Sequence, residues 1–424
     1  MAKKSAPKKT RIGYIGGGHR GVALLPLLLE MDDVEIVAVC DEYEDRARDL
    51  VKMCKEKGRP APSWYQDYLQ LIEENYEENL DAIIAPTAWE SHVPIAVAAM
   101  EHGLPVGIEV GGAYSVDDCW QLVRVSEATG VPCMLLENCC YGREEMAVLK
   151  LVKDGVFGEI VHCEGGYHHD LREEICMGVE KRHYRLRNFL HRNAELYPTH
   201  ELGPIAKWIK LNRGNRMVSL TATSSKARGL NYWAKTHKGE NDPLATANFN
   251  EGDIVTTVIK CANGETIVLT HDCSLHRPYS RGNVIQGTKG IYMEDKHSLC
   301  AEGITKTQEG WDPDVWEDLN EHWDIAEHPL WKKFQDEGVK GGHGGMDYLV
   351  LRAFIESVRD GKNPPIDVYD AAAWMCITPL SEESIAQGSA PVAIPDFTNG
   401  LWIRERPYEK GTYCLEEICE PGEL

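Results

Sequence analysis

The run Arg11-Ile12-Gly13-Tyr14-Ile15-Gly16-Gly17-Gly18-His19-Arg20-Gly21 decides how the chain folds. A short apolar strand, RIGYIG, runs into a glycine cluster in which Gly16, Gly18 and Gly21 satisfy the spacing GxGxxG, and a helical pattern follows. Each glycine has a separate task. Gly16 permits a tight turn, Gly18 lets the backbone approach a pyrophosphate, and Gly21 allows close packing of helix on strand while the helix N-terminus faces the anion. The next strand, VEIVAVC, ends at Asp41, 20 residues beyond Gly21. An acid at that place accepts hydrogen bonds from the adenosine ribose and repels a 2′-phosphate, which predicts NAD rather than NADP. His19 and Arg20, at the tip of the turn, are placed to contact the pyrophosphate.

Outward from this motif the pattern repeats. RIGYIG, VEIVAVCD, LDAIIAP, LPVGIEV and VPCMLLEN alternate with helical segments that close on Gly103 and Gly130, the signature of βαβ units around a parallel sheet. Five strands and their helices make a doubly wound domain over residues 1–142. After a linking helix that closes at Gly158, EIVHCEGGYHHDL, MVSLTATSSKA, DIVTTVIKCANGETIVLTHDC and GNVIQGTKGIYMED read as strands joined by turns. Two amphipathic helices follow, GMDYLVLRAFIESVRDG and VYDAAAWMCITPLSEESIAQG, and the stretch from Gly310 to Glu327 reads as a surface excursion. The fold class is therefore α/β: an N-terminal Rossmann-type doubly wound parallel sheet, and over residues 143–424 an α+β domain with an open, mainly antiparallel sheet that binds substrate and supports a homo-oligomer.

Composition narrows the function. Forty-five Lys and Arg against 67 Asp and Glu give a net charge of −22 over 424 residues, which repels nucleic acid and anionic membranes. No apolar run is long enough to span a bilayer, and the start MAKKSAPKKTRIGYIG lacks the apolar core of a secretory signal, so either a cytoplasmic location or a trimmed export signal is expected. The 14 cysteines include no CxxC pair and several lie in strand-like runs, as reduced buried thiols do.

Ligands of open parallel sheets bind outside the carboxyl ends of the strands. That rule adds Pro86, Thr87, Trp89 and His92 after the third expected strand, Glu109 after the fourth, and Glu137 and Asn138 after the fifth. A metal is not expected. His162, His168, His169 and Asp170 cluster in sequence, but strand alternation sends His168 and His169 to opposite faces.

Three segments, GYIGGGHRG, IIAPTAWESHVPIAVAAMEHGLPVGIEV and HGGMDYLVLRAFIESVRDGKNPPIDVYDAAAWM, resemble the glucose-fructose oxidoreductase and inositol dehydrogenase superfamily. A narrower likeness covers nearly the whole chain. ENCCYGR, HHDLR, HYRLRN, YPTHELGP, SSKARG, IKCANGETIVLTHD, RPYSR and QGTKG are similar to the NAD-dependent glycoside hydrolases of the α-N-acetylgalactosaminidase type. The resemblance implies transient oxidation at sugar C3, deprotonation at C2, elimination of the aglycone, addition of water and re-reduction. It implies Tyr141 as the C2 base, His200 as handler of the C3 hydroxyl proton or the added water, and Arg185, Tyr197 and Tyr279 along the sugar. Glu109 would meet the nicotinamide ribose or a sugar hydroxyl, and Tyr167 and His169 would approach the cofactor from the second domain. Many dehydrogenases of the superfamily carry Glu-Lys-Pro where this chain reads Glu109-Val110-Gly111, so the lysine that would serve hydroxyl oxidation is missing. Gly111 and Glu201 depart from the EVP and GLGP of the hydrolases. A plain NAD-dependent sugar dehydrogenase and a non-catalytic sugar-binding relative are the alternatives.

Overall fold

The computed structural model describes residues 9–77, 79–404, 410–415 and 417–418. The first sheet contains β1 (Thr10–Ile15), β2 (Val34–Cys40), β3 (Ser63–Tyr65), β4 (Ala82–Ala85), β5 (Val106–Ile108) and β6 (Cys133–Leu135) in the order β3-β2-β1-β4-β5-β6, every pair parallel. It has six strands, one more than the sequence suggests. β3 is a half-exposed edge strand of three residues, so it carries no apolar run to announce it. Helices cover both faces of the central strands, and every residue of β4 is out of solvent. The order reverses between β1 and β4, which opens a crevice at their carboxyl ends.

Helix α1 (His19–Leu29) begins at the glycine turn, α2 (Glu44–Glu56) follows β2, α3 (Tyr68–Asn75) follows β3, and α4 (Trp89–Glu101) follows β4. Helix α5 (Val116–Thr129) starts with a capping box between Ser115 and Asp118 and ends on Gly130 in the left-handed conformation, φ 71°. Helix α6 (Arg143–Lys153) then leads to the second sheet.

That sheet has nine strands: β7 (Ile160–His168), β8 (Met217–Ser224), β9 (Val255–Cys261), β10 (Thr266–Asp272), β11 (Val284–Gly287), β12 (Gly290–Met293), β13 (Ser298–Ala301), β14 (Glu317–Asp318) and β15 (Val392–Ala393). Their order is β14-β13-β12-β11-β7-β10-β9-β8-β15, antiparallel except for the central β7–β10 pair. The helix Pro198–Trp208 packs on one face of β7 and β10. The expected helix over 368–388 is two helices, Val368–Met375 and Ile377–Ala386, because Pro379 has no N–H to return to the preceding turn.

The last third of the chain returns to the first sheet. The helix Met346–Asp360 lies against α1 and β1, and Val368–Met375 lies against α5 and β6, so one apolar core runs through both sheets. A second, smaller apolar cluster joins Trp89 and Val110 of the first domain to Tyr167, Ile175, Phe189 and Tyr197 of the second. This cluster flanks the crevice. Every cysteine among the described residues is a free thiol, and no helix among them is long and apolar enough to cross a membrane.

Candidate active site

A cleft of about 1420 Å³ opens at the carboxyl ends of β1 and β4 and runs to the second sheet. At its dinucleotide end the glycine turn has the geometry the sequence demands. Gly16 sits at φ +118°, and a Cβ there would stand 2.6 Å from the Pro86 carbonyl oxygen. A Cβ on Gly21 would overlap the Gly16 carbonyl, whereas the space over Gly18 is open, its nearest neighbour Arg46 Nη1 at 3.8 Å. No side chain caps α1, which leaves its first N–H groups for a ligand. Asp41 is oriented by two backbone donors: Gly17 N–H at 2.7 Å to Oδ2 and Tyr43 N–H at 2.9 Å to Oδ1. These residues fit NAD.

Arg20 is held from far along the chain. Its guanidinium makes paired hydrogen bonds of 2.9 and 2.7 Å to Asp347, at the start of the helix Met346–Asp360, and its Nε stands 3.2 Å from Glu109. Asn138 donates to Asp347 at 2.7 Å, and His343 Nδ1 lies 2.8 Å from it. Burial pushes the Asp347 carboxyl up, but His343 and Arg20 outweigh it and hold the group well below the ordinary carboxylate range. Burial raises Glu109 against the pull of Arg20. Asp347 and His343 escaped the sequence reading; the glycine-rich run Gly341-Gly342-His343-Gly344-Gly345 before a helix was the available signal.

The adenosine end is walled by a strap from the second domain, residues 172–184. Arg182 pairs with Asp45 through hydrogen bonds of 3.0 and 2.7 Å, Arg46 donates to the carbonyls of Lys181 and Arg182, and His19 Nδ1 lies 3.5 Å from Glu174. The Tyr43 ring is flanked by both guanidinium groups, at 4.9 and 4.4 Å.

At the opposite end Tyr167, Tyr197, His200, His169 and Arg185 converge on the cleft. Tyr167 is the next-to-last residue of β7; Tyr197 precedes, and His200 lies in the first turn of, the helix Pro198–Trp208. The rings of Tyr167 and Tyr197 are 4.3 Å apart, and His200 is 5.5 and 4.9 Å from them. His200 Nδ1 meets Glu137 Oε1 at 2.6 Å, while Glu137 Oε1 also accepts from Cys139 N–H. Burial pushes Glu137 up, yet His200 holds its carboxyl below the ordinary value. Glu137, Cys139 and His200 bring potential ligand atoms within 4.8 Å of one another, but the ring nitrogen is committed to the carboxylate and burial raises the thiol well above its usual range. The set therefore reads as a hydrogen-bonded dyad.

Arg185 is buried among aromatic rings, 4.9 Å from Tyr197, 5.2 Å from Trp89, 5.8 Å from Tyr167 and 5.9 Å from Tyr184, with Glu174 Oε1 at 2.8 Å from its Nε. Its Nη1 and the Trp89 Nε1 are buried without a hydrogen-bond partner. Such donors are costly unless a polar ligand completes them.

Several expectations need correction. Tyr141 is not at the cleft: its turn, Asn138–Tyr141, presents Asn138 to the ligand and sends the Tyr141 ring into the core, where the hydroxyl donates to the Tyr413 carbonyl at 2.9 Å. Burial pushes its phenol pKa well above the usual 10, and Arg143, two residues on, is paired with Glu327. His92 is fully buried behind the Thr87 turn, its Nε2 at 3.1 Å from the Thr87 carbonyl, and burial lowers it to about 4; it braces the turn and does not line the cleft. Trp89 lies behind the wall, against Tyr184 and Gly111. Gly111 has φ +141°, closed to proline, and a Cβ there would strike the indole. Tyr279 is 47% exposed and stands outside the lining, its ring 5.0 Å from His169. Glu201 faces away from the cleft.

A family description of an oxidoreductase NAD-binding Rossmann fold matches residues 10–136, and that of the glycosyl hydrolase 109 C-terminal domain matches residues 141–404. The chain belongs to glycosyl hydrolase family 109. This family 109 enzyme is a glycosidase with an NAD-binding domain. It is 42% identical to a glycosyl hydrolase family 109 protein of Stenotrophomonas maltophilia, over 94% of this chain and 91% of that one. It is 41% identical to an α-N-acetylgalactosaminidase of Tannerella forsythia, over 96% and 90%. The fold is shared with a levoglucosan dehydrogenase, TM-score 0.67 at 17% identity over 92% of this chain and all of that one. It is also shared with an inositol dehydrogenase homologue of Azotobacter vinelandii, TM-score 0.63 at 15% over 91% and 98%.

Proposed function

We propose that this enzyme hydrolyses N-acetylgalactosaminides or closely related hexosides, with Tyr167 rather than Tyr141 as the C2 base. The observation that carries the reading is the convergence of Tyr167, the His200–Glu137 dyad and the caged Arg185 at one end of the NAD cleft. Bound NAD supplies a hydride acceptor and donor for sugar C3 and ends each turnover in its starting redox state. With Nδ1–H donated to Glu137, the tautomer leaves His200 Nε2 as an acceptor for the C3 hydroxyl proton. The ketone at C3 then acidifies the C2 hydrogen.

Tyr167 removes that proton with help from its neighbours. Burial raises its phenol well above 10, Arg185 opposes the rise, and the hydroxyl lies 3.2 Å from His169 Nδ1. Burial lowers the His169 imidazole below its ordinary value, so the ring is neutral and able to receive the proton. The unpartnered Arg185 Nη1 is available to a sugar hydroxyl or an acetamido oxygen. As the aglycone leaves C1, water adds to the enone and the proton transfers reverse. Turnover in deuterated water should place deuterium at C2 of the released sugar, and Tyr167→Phe should abolish both cleavage and label. Product without C2 deuterium would return the chain to the dehydrogenase reading. A homo-oligomer through the uncovered face of the second sheet, where Thr221, Val258 and Val268 lie side by side, completes the proposal; light scattering that shows a monomer would remove it.

A further inference from the structure

The strap, residues 172–184, follows β7, crosses the adenosine end of the cleft and runs directly into the helix Arg185–His191. Its root is anchored in the second domain: Leu171 N–H donates to the Cys273 carbonyl at 3.0 Å, and Ile175 and Cys176 lie in the apolar cluster beside the crevice. Its tip is tied to the first domain. Arg182 pairs with Asp45 in the first turn of α2, and Arg46 donates to two carbonyls of the tip. Between root and tip the turn is compact. His183 N–H returns to the Gly178 carbonyl at 2.7 Å, and a Cβ on Gly178 would stand 2.6 Å from Leu186 Cβ.

Glu174 lies in the middle of this segment and meets three partners. Its Oε1 is 2.8 Å from Arg185 Nε and 3.7 Å from His183 Nε2, and its Oε2 is 3.5 Å from His19 Nδ1 at the glycine turn. Burial lowers the His183 imidazole to about 4, so the ring is neutral; its Nδ1 accepts from the Arg185 backbone N–H at 3.3 Å, which leaves the ring proton on Nε2, toward the carboxylate. Burial pushes the Glu174 carboxyl up, but its neighbours, Arg185 first, hold it below the ordinary value. Among the described residues Glu174 is the carboxylate that pairs with Arg185, and it does so through charge, because Arg185 Nε and Nη1 make no hydrogen bond. The rings around the guanidinium attract the cation without fixing the direction of its N–H groups. The carboxylate sets that direction.

We propose that Glu174 is a positioning residue: it fixes the Arg185 guanidinium to the strap, so that the strap's seat on the dinucleotide domain aims Arg185 Nη1 at the sugar. This rests on the reading of Arg185 as a sugar contact. Cofactor and sugar are then linked through one segment. Whatever keeps the strap seated keeps Arg185 aimed, and by reciprocity a sugar that holds Arg185 keeps the strap over the dinucleotide.

Glu174→Gln removes the charge with little change of shape. Its KM for a nitrophenyl N-acetylgalactosaminide should rise about tenfold while kcat stays within about threefold, since Tyr167 and the His200–Glu137 dyad are untouched. Release of NADH from the parent, followed by its fluorescence, should slow about tenfold at saturating N-acetylgalactosamine, and in Glu174→Gln, again at saturation, that slowing should be lost. Hydrogen exchange on the NADH-bound parent needs no variant: the same sugar should protect the amides of residues 178–183, at the other end of the cleft, and it decides alone should Glu174→Gln not fold. Unprotected strap amides, NADH release slowed equally in parent and variant, or a loss confined to kcat overturns the proposal. Arg185→Ala separates the two ways of failing. N-acetylgalactosamine affinity unchanged by Arg185→Ala brings down the reading of the sugar wall and the proposal with it, whereas affinity lost in Arg185→Ala with KM at the parental value in Glu174→Gln brings down the positioning role only.

Discussion

At the dinucleotide end of the cleft the contacts are mostly main chain and contiguous: three glycines, a helix N-terminus and one acid at the end of the next strand. At the sugar end they are side chains from separate segments, Glu137, Tyr167, Arg185 and His200, assembled only when the second sheet closes on the first. The two ends meet two different demands. A pyrophosphate needs close approach of backbone, which a local motif encodes, whereas proton transfer at chosen carbon and oxygen atoms needs groups held apart by a rigid scaffold.

The largest expected effect separates two tyrosines that the sequence makes look alike. Tyr167→Phe should lower kcat by about 10²–10⁴-fold with NAD still bound. Tyr141→Phe should leave kcat nearly unchanged and cost about 1 kcal/mol of stability through its lost hydrogen bond to Tyr413. Steady-state kinetics with a nitrophenyl N-acetylgalactosaminide, together with chemical denaturation, checks both; the reverse ranking would move the chemistry back to the turn after β6. Next comes Glu137→Gln, which can reverse the His200 tautomer and so protonate Nε2, with a loss on the order of tenfold to a hundredfold in kcat and little change in NAD content. An unchanged pH–rate profile in that variant would detach Glu137 from His200.

Asp347→Asn tests whether the dinucleotide end is truly local. It removes the charge that orients Arg20 and Asn138, and NAD release, followed by stopped-flow fluorescence, should speed up about tenfold. Asp41→Ala should weaken NAD binding as well, since Asp41 also braces the Gly17 turn. The smallest effect is a stability slope in acid. His92 and His183 are lowered by burial to about 4, so between pH 6.5 and 4 the unfolded chain binds more protons than the folded one and stability falls with falling pH. A Tm that drops by several degrees across that window, and less steeply in His92→Asn, is the expected result.

How legible each part was follows from how local its cause is. The glycine turn, Asp41, the parallel strands and the capped end of α5 were readable because periodicity and φ requirements act over a few residues. Strand β3 was not, being short and half exposed. Tyr141 and Tyr167 show the limit most clearly: both are tyrosines beside promising motifs, and what separates them is the direction of a four-residue turn and the partner that the Tyr413 carbonyl supplies from 272 residues away. The Arg20–Asp347 pairing was hidden for the same reason. Glu201 follows His200 in sequence yet faces away from the cleft, because one step along a helix turns a side chain by about 100°.

The same Arg20–Asp347 pairing has a consequence for how the enzyme is made. The two residues are 327 positions apart. A ribosome adding about 5–20 residues per second releases the nucleotide-binding half tens of seconds before it delivers the anchor that completes it. Until residue 347 has been made, Arg20 lacks the carboxylate that orients it at the glycine turn.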